Sequence, residues 1–148
     1  MSVLEAEELV AAPPDRVWMI VADPQNLPSW DRHIERVSGA PADGLRKGST
    51  YSVHVAFLGA RAKADATVLE VDPPHHSVVR LKGILEATVE TWIDPVGKDR
   101  SRVRHRIEYR FPGGPMGSLA ARAVRALGGD RLLRRGVQAQ KRQVESAR

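Results

Sequence analysis

His105 and Tyr109 are the residues of this chain best suited to chemistry at a bound molecule. They stand four positions apart in R-S-R-V-R-H-R-I-E-Y-R-F, Arg100 to Phe111. Val103, His105, Ile107, Tyr109 and Phe111 share one parity, and Arg102, Arg104, Arg106, Glu108 and Arg110 share the other. A period of two marks a half-buried antiparallel strand. On one strand face His105 and Tyr109 lie about 13 Å apart, too far to bond each other and near enough to line one cavity. An imidazole moves a proton near neutral pH and a phenol orients a carbonyl or another phenol, so both are catalytic candidates, with Tyr51 a further polar group from another strand. The other reading of His105 is a core ring satisfied by backbone or water, and enclosure demands partners in either case. Trp18 and Trp30 are open between the same two roles, core anchor or ligand contact.

Other chemistries find no support. The phosphate-loop and dinucleotide glycine patterns are missing, and Gly113-Gly114 with Gly117 belongs to a proline hinge. No nucleophile-elbow pattern is present. His75 and His76 are adjacent beside two prolines, which reads as an exposed turn, and no histidine pair has zinc-site spacing; no metal or other cofactor is expected. The chain has no cysteine, which excludes disulfide and thiolate chemistry. No apolar run approaches the roughly 20 residues of a membrane span, and the first residues show no basic segment followed by an apolar core. The expectation is a soluble, cytoplasmic protein.

The net charge of +5 is uneven. Residues 116–148 hold eight Arg or Lys against two acids, and residues 1–115 hold fifteen bases against sixteen acids. A basic C-terminal helix suits either a solvated arginine-rich face or contact with an anionic membrane. Specific nucleic-acid binding would need the arginines at 122, 125, 131, 134, 135 and 142 in one exposed stripe.

The elements that must position these groups follow from periodicity. Val3 to Val10 reads as a first strand, closed by Ala11-Ala12-Pro13-Pro14. Pro14 suits the first turn of a helix and Asp15 complements its dipole, with Val17, Ile20 and Val21 forming the apolar face. Asp23-Pro24 ends it, and Asn26 opens a second short helical turn through Trp30. Strands are expected at Ile34 to Ser38, Tyr51 to Phe57, Arg61 to Val71, Ser77 to Leu81, Leu85 to Ile93, and in the stretch around His105. Ala62, Ala64, Ala66 and Val68 share one face, leaving room for a helix or a ligand. Trp92 falls on the polar parity of its strand, so it covers the outer surface unless a bulge turns it inward. After Pro112 to Pro115 the period shifts toward 3.6, and a long helix runs from about Met116 to Ser146 with Leu119, Ala123, Leu127, Leu133, Val137 and Val144 on its apolar side. Gly128-Gly129 predicts a kink or break in it. At 148 residues one α+β domain is the simplest organisation.

The segment A-P-P-D-R-V-W-M-I-V-A-D-P-Q-N-L-P-S-W-D, Ala12 to Asp31, resembles the opening of the START-like, helix-grip superfamily (SRPBCC), in its polyketide cyclase/dehydrase and lipid-transport group. I-D-P-V-G-K-D-R-S-R-V-R-H-R-I-E-Y, Ile93 to Tyr109, and the C-terminal helix support the resemblance. It implies a curved antiparallel sheet of about six or seven strands wrapped around a long C-terminal helix, with two short helices after the first strand. It also implies one ligand-binding domain over residues 1–148, binding or transporting a small hydrophobic or aromatic molecule between sheet and helix. The alternative it implies is an aromatase/cyclase acting on a poly-β-keto substrate. Trp30 matches the motif tryptophan by position. Arg61 and Arg80 lie on ambiguous faces, so no cyclase arginine is assigned, and the iron ligands of the oxygenase branch have no counterpart. The expected ligand contacts are Trp18, Trp30, Tyr51, Val53, Val55, His105, Ile107 and Tyr109, joined by Leu119, Ala123 and Leu127 of the long helix. A monomer or homodimer is expected.

Overall fold

The computed structural model describes residues 2–57, 59–83, 85–126 and 128–147. Strand β1 (Ser2–Val10) is followed by α1 (Pro14–Val21), a 3₁₀ turn at Pro24–Asn26, and α2 (Leu27–Trp30). A run of strands comes next: β2 (Ile34–Ser38), β3 (Thr50–Phe57), β4 (Ala60–Asp72), β5 (His76–Gly83), β6 (Glu86–Pro95) and β7 (Ser101–Arg110). Helices α3 (Pro115–Ala126) and α4 (Gly129–Ser146) end the chain.

Among the described residues seven strands form one antiparallel sheet in the order β1-β7-β6-β5-β4-β3-β2. β2 to β7 are a meander, while β1 joins the far side of β7. The chain must therefore cross from one sheet edge to the other between β1 and β2, and α1 and α2 make that crossing. A β-bulge between Val68 and Glu70 bends β4 against β5, and another irregularity lies between Ile34 and Arg36 on β2. Bulges sharpen the local twist, which helps turn the sheet into a concave half-barrel around α4.

Two apolar clusters fill the concave side. Val10, Ala12, Val17, Ile93, Val103 and Val144 close the groove at the end where β7 begins, and Trp18, Ile20 and Val21 of α1 pack on them. Full burial of each aliphatic side chain stabilises the fold by about 1.5–3 kcal/mol. Val37, Tyr51, Val53, Ala66, Val68 and Val79 form the second cluster on the β2 to β5 side. Ser101 is fully buried within the closed end and donates from Oγ to the Ala12 carbonyl at 2.8 Å.

α4 carries much charge for a helix that a sheet encloses, and polar bonds hold it. Lys141 Nζ donates to the Leu9 carbonyl and to Glu145 Oε2, both at 2.8 Å, and Glu145 Oε2 accepts from the Ala11 amide at 2.8 Å. Arg131, Arg134, Arg135 and Arg142 are exposed, as a solvated helix face requires. No described helix is long and apolar enough to cross a membrane.

The break expected at the paired glycines is present, since Gly128 takes a left-handed conformation (φ +81) ahead of α4. The consequence for α3 corrects an expectation. Leu119 is 59% exposed and Ala123 is exposed, so neither faces the groove; Leu127 lies outside the described residues. The cause is Gly117, which is buried and so close to the Phe111 carbonyl that a Cβ would collide with it. α3 leans on that point, and Leu119 lies about 200° further around the helix, on the solvent side. Trp92 points outward, with the Arg104 guanidinium 4.1 Å from its ring centre.

Ile93→Ala is expected to cost about 2–5 kcal/mol of folding stability, because Ile93 is fully buried in the closed end. Leu119→Ala is expected to change it by less than about 0.5 kcal/mol. Urea unfolding of both variants checks the two placements.

Candidate functional site

Between the concave sheet and helices α1, α2 and α4 lies a cavity of about 400 Å³. The strand register arranges its wall in cross-strand rows. His105, Thr91 and Ser77 are paired across three strands, and beyond them run Ile107, Val89 and Val79. The third row runs Tyr109, Ala87 and Leu81, and through the buried Ala66 reaches Tyr51. The wall thus passes from a polar row beside the closed end, through an aliphatic row, to a row with a phenol at either flank and alanines and a leucine between.

In the polar row His105 bridges sheet and helix. Its Nε2 lies 2.8 Å from Gln140 Oε1 on α4, and its Nδ1 lies 2.8 Å from Thr91 Oγ1 on β6. With an amide oxygen facing Nε2, the neutral ring carries its proton there and Nδ1 accepts from the Thr91 hydroxyl. Both ring nitrogens are engaged within the protein. Burial pushes the His105 pKa below its ordinary 6.5, and the bond to Gln140 opposes this in part.

Tyr51 is buried, and desolvation pushes its pKa up to about 12, so the phenol stays protonated. Tyr109 is 4% exposed, and its ring meets the edge of Phe111 at 6.0 Å between centroids. Its hydroxyl has no hydrogen-bond partner among the described residues. Trp30 borders the cavity from α2 and donates from Nε1 to Gln143 Oε1 at 2.8 Å, a tie between the crossing helices and α4. Asp31, at the rim, accepts from the His33 amide at 2.8 Å and bonds His33 Nδ1 at 2.9 Å.

Trp18, Val53, Val55 and Ile107 also border the cavity. The two arginines of ambiguous face are outside it: Arg61 is exposed and pairs with Glu35 at 3.3 Å, and Arg80 is exposed on the convex side. The described lining contains no lysine or arginine. The adjacent histidines diverge. His75 is exposed in a turn with Nδ1 3.0 Å from the Ile93 carbonyl, whereas His76, half-buried at the start of β5, bonds Glu90 at 2.6 Å beside Trp92. Sequence reasoning missed Thr91, Ser77, Val89, Ala87 and Gln140. Gln140 had a readable signal, for it falls three residues after Val137 and four before Val144, on the helix's apolar side.

The depressed His105 pKa has a definite sign for stability. Well above pH 6.5 the ring is neutral in folded and unfolded chains alike. As pH falls below 6.5 the unfolded chain takes up a proton that the folded chain resists, so stability declines. Between about pH 7 and about pH 5, wild type is expected to lose stability faster than His105→Gln, by up to about 1.4 kcal/mol per pH unit. Urea unfolding across that range measures the slopes, and parallel curves would contradict the assignment.

Residues 1–145 match a family model described as polyketide cyclase / dehydrase and lipid transport. No curated protein sequence matches the chain. Among solved structures, a protein of Thermus thermophilus superposes with a TM-score of 0.79 at 17% identity, over 99% of each chain. The Zhui aromatase/cyclase of Streptomyces sp. R1128 gives 0.74 at 20% identity, over 97% of this chain and 93% of that one. Norcoclaurine synthase of Thalictrum flavum, in complex with dopamine and hydroxybenzaldehyde, gives 0.69 at 19%, over 99% and 88%. At such identities the likeness is one of fold. The family match nonetheless covers the strands and helices that build the cavity, and the chain, with its START-like fold, belongs to the polyketide cyclase/dehydrase and lipid-transport family.

Proposed function

We propose that this protein, as one ligand-binding unit over its length, binds or carries a small hydrophobic or aromatic molecule in the cavity between its sheet and α4. The observation that carries this reading is the wall itself. A cavity of about 400 Å³ falls in the range of small-molecule sites, and its lining is aliphatic and aromatic with a few polar groups. His105, Thr91, Gln140 and Trp30 spend their polar atoms on one another or on α4, which suits holding a shape more than moving protons.

A second reading is an aromatase/cyclase acting on a poly-β-keto chain. The likeness in fold to the Zhui aromatase/cyclase and to one half of a di-domain ARO/CYC, at 20% and 23% identity, favours it. Catalysis would fall to His105 and Tyr109, and His105 would have to release Thr91 or Gln140 to exchange a proton with substrate. The arginine that the resemblance leads one to seek does not border the cavity among the described residues.

Native mass spectrometry of the purified protein, with extraction of whatever co-purifies, is expected to find an apolar or aromatic molecule at one per chain. Val89→Trp fills the aliphatic row, and the variant is expected to fold and lose that molecule. A ligand kept by Val89→Trp would count against the cavity. Offering a poly-β-keto thioester tests the second reading: a cyclised aromatic product that disappears with His105→Gln supports it, and no product in wild type removes it.

A further inference from the structure

Tyr109 combines three properties that do not ordinarily coexist. It is 4% exposed, its hydroxyl has no hydrogen-bond partner among the described residues, and its side chain borders the cavity. A buried hydroxyl left unpaired is costly, and native folds rarely keep one without a use. A phenylalanine would fill the same space at no such cost. The edge contact with Phe111 holds the ring, its cross-strand neighbours are Ala87 on β6 and Ser2 on β1, and neither gives the hydroxyl a hydrogen bond. Several other polar groups of the wall are committed: His105 to Thr91 and Gln140, Trp30 to Gln143, Asp31 to His33.

The charges around the cavity restrict what can sit on that hydroxyl. Asp23 and Asp31 border it, and no lysine or arginine does among the described residues. A carboxylate would lose its hydration and find acids without a cation to offset them. Tyr51, at the opposite end of the same row, is a neutral phenol at any ordinary pH. We infer that the cavity selects a neutral molecule whose acceptor oxygen, a ketone or ester carbonyl or an aryl ether, takes the Tyr109 hydroxyl proton in a hydrogen bond, and that it rejects carboxylates. This deepens the cavity reading above and rests on it.

Three probes of nearly equal shape separate the two ideas: 2-acetylnaphthalene, 2-isopropylnaphthalene and 2-naphthoate, titrated calorimetrically into wild type and Tyr109→Phe. Wild type is expected to bind the ketone about tenfold more tightly than the hydrocarbon, and the naphthoate more weakly than either. Tyr109→Phe is expected to erase the ketone's advantage while holding the hydrocarbon within about twofold. Its ligand-free urea midpoint is expected to be at or above that of wild type, which also shows that it folds. A ketone no tighter than the hydrocarbon, an advantage that survives in Tyr109→Phe, or a naphthoate that binds best overturns the inference and leaves the cavity reading standing. Failure of all three to bind overturns the cavity reading, and the inference with it.

Discussion

A cavity inside a small protein is a contradiction that something must sustain, because apolar walls gain by collapsing onto one another. Here the sustaining interaction is the bridge from Thr91 through the His105 ring to Gln140. It sets the height of α4 above the sheet with a rigid ring as spacer. Burial favours the neutral ring in this role, since a charged imidazolium between sheet and helix would lose its hydration. Trp30 with Gln143, and Lys141 and Glu145 with the end of β1, hold the helix at other points along its length. A helix held by polar bonds can stand off from an apolar floor that hydrophobic contact alone would draw in.

The apolar clusters divide the labour with that bridge. The closed end, where Ile93 and Val103 meet α1 and Val144, is fully buried and supplies cohesion. The rows beyond it trade cohesion for room, with Ala64 and Ala87 on the wall. α3 stands apart from both. It rests on Phe111 through Gly117 and turns a corner at Gly128, so its outer side chains add little to the core.

The sheet was the most legible part of the chain, because alternation in a strand assigns each residue to a face without knowledge of its neighbours. His105, Ile107 and Tyr109 could be placed on one wall for that reason, as could the alanines of β4. Faces of helices were legible only where a partner was known. The apolar stripe of Leu119, Ala123 and Leu127 was a true feature of the sequence. Which way it pointed depended on the close approach of Gly117 to the Phe111 carbonyl, a contact that no periodicity encodes. Gln140 and Thr91 were passed over because polar residues in amphipathic elements are assumed to meet water. Their burial became apparent only once the sheet curved far enough to bring α4 over His105. Trp92, ambiguous by parity, was settled by the Arg104 guanidinium stacked on it from the next strand.

The row between the two tyrosines has a consequence for how such a protein changes over time. Ala87 and Leu81 face the interior from strands whose backbone bonds are complete and whose alignment is set elsewhere. Their volume can be altered one side chain at a time without disturbing the bridge or the closed end. Recognition is thereby separated from foldability. A lineage built on this frame can exchange one guest for another through single substitutions, while the part that keeps the chain folded drifts on its own schedule.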